Sequence, residues 1–100
     1  MILIVWEFDV PEAARARFEG AYGPDGVWVR FFRRAPGYVR SELLVDPARP
    51  GHYVTLDFWE SAHAYEAFRN AARADYDAID QQCEQLTSGE RHVGTFRGLS

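Results

Sequence analysis

The order of its strand and helix patterns constrains this 100-residue chain more than any other feature of the sequence. Segments rich in β-branched and aromatic residues predict four strands, at residues 2–10, 38–46, 52–60 and 91–97. Helical patterns lie before the second strand and before the fourth, which is the order of the split βαβ motif. Because crossover connections are right-handed, we expect both main helices on one face of a four-stranded antiparallel sheet. The sequence therefore predicts an α+β fold of the ferredoxin-like βαββαβ type.

Local signals divide the first helical stretch into two short helices. Pro11 favours the start of a helix, and Gly20 and the Gly23-Pro24 pair favour its end. Residues 27–34 place their apolar side chains on one helical face and predict a second helix.

The second helical stretch is unusually long for a chain of this size. Ser61 is the expected N-cap, and apolar residues recur at steps of three and four over residues 62–88. A straight helix of that length would measure about 40 Å, which is longer than a small domain is wide. We therefore expect a bend or break between Ala74 and Asp77. Residues 98–100 are predicted to fray.

Charge and cysteine usage argue against several classes of partner. The formal net charge is −4, whereas a nucleic-acid-binding protein needs a basic face. The single cysteine, Cys83, cannot form an intrachain disulfide and is typical of a reducing cytoplasm. The apolar run at residues 1–8 is far too short to cross a membrane. We expect a cytoplasmic protein with neither a nucleic-acid nor a membrane partner.

Two further groups of polar residues bear on ligand binding. The cluster Arg30, Arg33 and Arg34 forms either a solvated helix face or a phosphate or carboxylate site. The three histidines have no spacing typical of a metal site, and His63 with Glu66 reads as a solvated pair on a helix. No metal site is therefore predicted.

An aromatic content of 15% is high, so the rings either fill an ample core or cover a second buried surface such as a subunit interface. The aliphatic side of strands two and three is expected to pack on the helices; it comprises Val39, Leu43, Val45, Val54, Leu56 and Phe58. The opposite side comprises Tyr38, Arg40, Glu42, Leu44, Tyr53, Thr55, Asp57 and Trp59. In a monomer this amphipathic face would be open to water. We therefore expect a homodimer whose two sheets enclose a cavity for a small molecule.

Three stretches carry a family resemblance: YVTLDFWES at 53–61, AYEAF at 64–68 and VGTF at 93–96. They resemble antibiotic biosynthesis monooxygenase (ABM) domains of the dimeric α+β barrel superfamily. The resemblance implies one ABM-like domain over residues 1–100, a homodimer, and a pocket between sheet and helices. Some members of the family oxygenate polyketide-like aromatics without metal or flavin, some degrade haem, and some have no established activity.

The resemblance transfers few functional residues to this chain. The haem-degrading branch uses an asparagine on strand one, a tryptophan ending strand three and a histidine on the next helix. Trp59 matches the tryptophan, but strand one has no asparagine and residues 68–73 have no histidine. Haem degradation is therefore disfavoured, and no cofactor is predicted. The polyketide branch shares Trp59 but has an asparagine where this chain has Thr55.

Asp57 and Trp59 are the candidate catalytic residues. A cofactor-free oxygenase needs a base that deprotonates an acidic phenol or enol, whose carbanion then reduces oxygen. A partly desolvated Asp57 would meet that need, and the alternative is a salt bridge with Arg40 on the adjacent strand. Trp59 would stack on a flat substrate or serve as an aromatic of the dimer interface.

Seven residues are candidate substrate contacts: Trp28, Phe32, Arg40, Glu42, Tyr53, Thr55 and Tyr65. The two rings on the second helix would cap the mouth of the pocket or pack within a helical stripe. The charged pair would hold oxygens of a substrate or pair across the dimer. The tyrosine hydroxyls would donate to a substrate carbonyl or to a protein acceptor.

These observations favour a cofactor-independent monooxygenase-like domain that acts on a small aromatic or polyketide-like molecule. The first alternative is a dimeric module that binds a small ligand without turnover. The second is a haem-handling protein. Most of the functional hypothesis comes from fold analogy.

Overall fold

A computed structural model describes residues 1–99 of the chain, and it contains the predicted order of strands and helices. The strands are β1 (Ile2–Asp9), β2 (Tyr38–Val45), β3 (His52–Trp59) and β4 (Gly89–Arg97). The helices are α1 (Arg15–Tyr22), α2 (Val27–Phe32), α3 (Ala62–Ala71) and α4 (Arg73–Glu84), with a short 3-10 turn at Glu12–Ala14. Ser100, the end of the predicted frayed tail, lies outside the described residues.

The four strands form one antiparallel sheet in the order β2-β3-β1-β4. The central strand β1 pairs with β3 along its whole length, from Ile2 opposite Trp59 to Asp9 opposite His52. Its other edge pairs with β4. This order confirms the ferredoxin-like α+β fold.

The first helical stretch begins later than predicted and ends at the second of the two predicted stop signals, the Gly23-Pro24 pair. Pro11 precedes a 3-10 turn, and regular α-helix starts only at Arg15. Gly20 lies inside α1, and the helix ends at Gly23, whose N–H donates to the carbonyl of Glu19 over 2.9 Å. The chain reverses again after α2, where Gly37 has φ +93°, a conformation that glycine adopts with little strain.

The long helical stretch is broken, as predicted, but two residues earlier than expected. The Ser61 hydroxyl accepts a hydrogen bond from the N–H of Ala64 over 3.1 Å, which confirms the N-cap. The break is at Ala72, with φ −109° and ψ 31°, and α4 starts at the next residue. The change of direction lets the two helices follow the sheet instead of extending past it.

The helices cover the opposite face of β3 from the one predicted. Tyr53 is 3% exposed, Thr55 7% and Trp59 0%, whereas Val54, Leu56 and Phe58 point to the other side. We call the covered side the inner face; β1 and β3 contribute Ile2, Ile4, Trp6, Phe8, Tyr53, Thr55, Asp57 and Trp59 to it. We call the other side the outer face; the same strands contribute Leu3, Val5, Val54, Leu56 and Phe58.

The predicted sides of β2 are correct from Arg40 onward but wrong at Tyr38, because the strand is irregular. The pairing register with β3 shifts between Tyr38 and Arg40. After this bulge Ser41 and Leu43 face the helices, like Tyr38, while Arg40 lies on the outer face. Glu42 and Leu44 follow Arg40 to the outer face.

Aromatic rings make up most of the core between the inner face and the helices. Trp59 packs edge-on against Phe32, Tyr38 and Tyr65 at centroid distances of 5.5, 5.4 and 5.2 Å. Phe18 of α1 is 0% exposed and lies 4.7 Å from the Tyr53 ring. The aromatic residues of this chain therefore pack mainly against one another in the core of a single chain.

No helix in residues 1–99 combines the length and the apolar character that crossing a membrane requires.

Candidate functional site

A cavity of about 150 Å³ lies between the inner face and the helices of a single chain. Its lining comprises Ile4, Trp6, Phe8, Tyr22, Trp28, Val29, Phe32, Ser41, Glu42, Thr55, Asp57, Tyr65, Arg69, Tyr76, Asp80 and Glu90. The location agrees with the pocket that the family resemblance implies. It differs from the chamber predicted between two sheets, because the polar and aromatic side of β3 faces the helices.

Asp57 of β3 lies on the floor of this cavity, where it is half-buried. Burial raises the pKa of its carboxyl to about 6, although a hydrogen bond from Ser41 acts in the opposite direction. The Ser41 hydroxyl donates to Oδ1 of Asp57 over 2.5 Å. Near neutral pH the side chain is therefore mainly a carboxylate, and it is a stronger base than an exposed aspartate.

The expected salt bridge between Asp57 and Arg40 is absent. The Arg40 guanidinium pairs with Glu42 at 2.5 Å and lies 3.9 Å from the centre of the Phe58 ring, on the outer face. The bulge in β2 explains this difference, because it turns Arg40 away from the side that carries Asp57.

The two segments of the broken helix form the wall opposite Asp57. Tyr65 and Arg69 come from α3, and Tyr76 and Asp80 come from α4. The Arg69 guanidinium lies 4.6 Å from the centre of the Tyr76 ring, so a cation–π contact spans the break. Burial raises the pKa of both tyrosines, so each hydroxyl keeps its hydrogen at neutral pH and can donate it to a ligand.

The other end of the cavity combines apolar rings with a carboxyl group. Tyr22, Trp28 and Phe8 line it, and Glu90 of β4 lies at its exposed edge. Burial, followed by the charges of Asp80 and Glu84, raises the pKa of Glu90. The cavity therefore carries carboxyl groups of Asp57, Asp80 and Glu90 against one guanidinium, which favours a neutral ligand over an anionic one.

Five of the predicted site residues meet at the cavity with their side chains on the covered side: Trp28, Phe32, Thr55, Asp57 and Tyr65. Glu42 borders the cavity, but its carboxylate pairs with Arg40 on the outer face. Arg40 does not line the cavity, and neither does Tyr53, whose hydroxyl donates to Oε2 of Glu19 over 2.5 Å.

Trp59 is the main departure from the predicted site. It does not line the cavity and is 0% exposed, because neighbouring rings surround it. Its indole N–H is buried and has no hydrogen-bond partner within residues 1–99. Stacking of a substrate on this ring would require the core to open, and a ring enclosed within one chain does not reach a dimer interface, so Trp59 packs in the core, which neither predicted role describes.

The structure adds Ser41, Arg69, Tyr76 and Asp80 to the site. Tyr65 and Tyr76 belong to the apolar helical pattern of residues 62–88, which predicts packing. Arg69 and Asp80 each follow one of them by four residues, so helical spacing is the signal that could have placed them on the same face. Alternation puts Ser41 beside Leu43 on the side predicted to pack on the helices, whereas the pocket was predicted on the opposite side of the sheet.

The remaining candidate groups lie outside the cavity. Within residues 1–99 no group of three or more His, Cys, Asp or Glu side chains is arranged to hold a metal ion. In the arginine cluster, Arg34 pairs with Asp75 at 3.3 Å and Arg30 donates to the backbone oxygen of Asp25. Cys83 is a buried thiol whose pKa is raised by burial.

Comparison with known proteins identifies the relatives of this chain. The family model for antibiotic biosynthesis monooxygenases matches residues 1–75. A variant of SnoaB, a cofactor-independent oxygenase from Streptomyces nogalater, is 25% identical, with 99% of this chain and 93% of that chain covered and a TM-score of 0.77. No curated protein sequence is significantly similar to this chain.

Two solved structures of lower sequence identity share the fold. A protein from Deinococcus radiodurans, assigned to the antibiotic biosynthesis monooxygenases, has a TM-score of 0.79 at 13% identity, with 100% of this chain and 94% of that chain covered. A protein from Nitrosomonas europaea with the same assignment has a TM-score of 0.74 at 16% identity, with both chains fully covered at 100%. Both comparisons support the sheet order and helix placement described above.

Proposed function

Because this chain belongs to the antibiotic biosynthesis monooxygenase family, we propose that it is a cofactor-independent monooxygenase-like enzyme. Its substrate is a small aromatic or polyketide-like molecule that binds between the sheet and the helices. One observation carries the proposal: a carboxyl group with a pKa of about 6, that of Asp57, lies in the cavity beside aromatic rings and hydroxyl donors.

In the proposed reaction Asp57 is the general base. It takes a proton from an acidic methylene or phenol of the substrate, and the electron pair stays on the substrate as a carbanion. The carbanion passes one electron to dioxygen, and the resulting radical pair combines to form a C–O bond. The proton held by Asp57 returns to the distal peroxide oxygen. The carboxylate then removes the second proton from the same carbon, the C–H electron pair forms the C=O bond, the O–O bond breaks, and the hydroxide that leaves takes up this proton to become water. A methylene and O₂ thus become a carbonyl and H₂O, and no metal or flavin is needed.

The acidity of Asp57 suits this role. A general base works best when its pKa lies near the working pH, and burial raises the pKa of the Asp57 carboxyl toward neutral pH. The substrate oxygen that gains negative charge needs hydrogen-bond donors. The Tyr65 hydroxyl and the Arg69 guanidinium line the same cavity and supply them.

The volume of the cavity limits the part of the substrate that it encloses. An apolar protein cavity of about 150 Å³ holds a benzene ring. The lining here includes exposed residues, among them Arg69 and Glu90, so the cavity is open to solvent. One reacting ring therefore fits inside, and the rest of a larger molecule extends out of the cavity.

Oxygen consumption tests the proposed function. Dihydroxyaromatic and anthrone-like compounds should drive oxygen uptake by the native chain, and Asp57→Asn should lower kcat/KM by about 100-fold or more, because it removes the base. Asp75→Asn is the matched control, since Asp75 is an exposed carboxylate paired with Arg34 on the far side of α4. The rate of this variant should equal that of the native chain.

Two outcomes would contradict the proposal. Tight ligand-dependent thermal shifts without oxygen uptake across the panel would favour a module that binds small ligands without turnover. A saturable Soret shift at one equivalent of haem per chain would favour a haem-handling protein.

We also propose that the functional unit is a homodimer formed through the outer face. Leu44 is 46% exposed and Phe96 50%, and on the intervening strands Val5, Leu56 and Phe58 form a continuous apolar surface with them. A soluble monomer seldom leaves such a patch in water. The same face of a second copy covers it under two-fold symmetry. The proposed interface is thus formed by the aliphatic side of the sheet in both copies. From the sequence, the side with Tyr53 and Trp59 was expected in that interface instead.

A further inference from the structure

Two hydroxyl groups form a hydrogen-bonded chain that ends on the Asp57 carboxyl. The Tyr38 and Ser41 oxygens are 2.7 Å apart, and Ser41 donates to Oδ1 of Asp57 over 2.5 Å. A serine hydroxyl has one hydrogen, and here it is used for the carboxylate, so Tyr38 must be the donor to Ser41. Burial raises the pKa of Tyr38, so its hydroxyl keeps the hydrogen that this arrangement requires.

The bulge in β2 makes this chain possible. In a regular strand, residues three apart lie on opposite faces of the sheet. The register shift between Tyr38 and Arg40 brings Tyr38 and Ser41 to the same, inner face. Bulges of this kind are enriched beside active sites, where they redirect a side chain. The irregularity thus places Ser41 in the lining of the cavity and the Tyr38 hydroxyl next to Ser41.

We propose that Tyr38 and Ser41 are positioning residues for Asp57, which hold one oxygen of its carboxylate and leave the other to receive the substrate proton. This inference rests on the proposed function of Asp57 as the base. Within residues 1–99, Ser41 is the one side chain that donates a hydrogen bond to this carboxyl. Its hydroxyl therefore sets both the orientation of the carboxylate and its affinity for a proton.

Other charged and titratable groups face the same cavity and bear on any titration. Tyr65 and Arg69 approach from α3, Tyr76 and Asp80 from α4, and Glu90 from β4. Arg33, at the end of α2, acts on Tyr38. The test must therefore follow the Asp57 carboxyl itself, not a bulk property of the protein.

The experiment is a ¹³C NMR titration of the Asp57 side-chain carboxyl in the intact protein without substrate, with Asp57→Asn used to assign the signal. Ser41→Ala should raise the Asp57 pKa by about one unit, because a hydrogen bond to the ionised form is lost. Tyr38→Phe should raise it by less, since it only weakens the polarisation of the serine hydroxyl. Ser41→Thr restores a hydroxyl at this position and should return the pKa to its native value.

Tyr53→Phe is the control for loss of a hydroxyl on the inner face. Its partner is Glu19, away from the cavity, so the Asp57 pKa should not change. An unchanged or lowered pKa in both Ser41→Ala and Tyr38→Phe would overturn the inference. If oxygen uptake occurs, the pH at the midpoint of the acidic limb of the kcat/KM profile should shift by the same amount as the Asp57 pKa measured by NMR. A shift in the titration without uptake by any variant would support the hydroxyl chain and contradict the proposed function instead.

Discussion

At the scale of single residues, the Asp57 carboxyl combines a functional advantage with a cost in stability. Its pKa is about 6 in the folded protein, whereas an unfolded aspartate has a pKa of about 3.9. Between these values the folded state binds more protons than the unfolded state, so the free energy of unfolding falls as the pH rises from about 4 to about 6. Above about pH 6 the carboxyl is ionised in both states, and the burial of its charge lowers the free energy of unfolding by the full amount.

Asp57→Asn should therefore stabilise the protein in a pH-dependent way. At pH 8 we expect a gain of about 1–3 kcal/mol in the free energy of unfolding, because each unit of pKa shift corresponds to about 1.4 kcal/mol. At pH 4 the change should be small, because the native carboxyl is then mostly protonated. Urea denaturation at the two pH values measures the difference. An equal loss of stability at both pH values would show that the carboxyl serves folding, and Asp75→Asn should change neither value appreciably.

At the scale of secondary-structure elements, irregular positions place the side chains of the site. The bulge in β2 directs Ser41 to the cavity, and the break at Ala72 lets α3 and α4 each contribute two lining residues. The turn before β2 is equally specific. Gly37 has φ +93°, and an added Cβ there would lie 2.7 Å from the Cβ of Ala64. The first turn of α3 therefore packs against a position that only glycine fits.

Substitution of two glycines by alanine should have opposite effects on stability. Gly37→Ala should destabilise the protein by about 1–3 kcal/mol, because it combines a strained φ with a steric clash against α3. Gly20→Ala should stabilise it by about 0.4–1 kcal/mol, because Gly20 lies within α1 and has no atom within 4 Å of an added Cβ. Urea denaturation of both variants measures the change in the free energy of unfolding that each substitution causes. Equal effects of the same sign would contradict the assigned backbone conformations.

At the scale of the whole molecule, the two faces of the sheet have different uses. The inner face holds the rings and polar groups that surround the cavity, and the outer face carries an aliphatic patch on the central strands beside the Arg40–Glu42 ion pair of β2. The cavity is complete within one chain. Dimerisation through the outer face would therefore stabilise the sheet that carries the site, without adding residues of the partner to the lining described here.

Charge placed on the outer face should separate the proposed dimer. Sedimentation of the native chain should give twice the chain mass of 11.5 kDa, and Leu56→Glu should give the mass of one chain. A charge in the centre of an apolar interface is costly unless it is paired, which is the reason for the expected dissociation. Ala67→Glu adds the same charge to an exposed position of α3 and should leave the mass unchanged. A native chain that sediments as a monomer at micromolar concentration would contradict the dimer.

The sequence by itself determined the number, type and order of the elements, the N-cap at Ser61 and the need for a break in the long helical stretch. These features depend on periodicity and capping, which act over a few neighbouring residues. It also identified Asp57 as the candidate base.

Only the tertiary structure decided which side of the sheet the helices cover. Both sides of β1 and β3 are largely apolar, so alternation separates the two sets of residues but does not say which set is buried. The bulge between Tyr38 and Arg40 puts Tyr38 on the same side as Ser41, which alternation along the sequence does not predict. Trp59 was assigned to the site by its place in a motif, but the rings of three other elements enclose it. Contacts among distant segments depend on packing of the whole chain, and no local pattern records them.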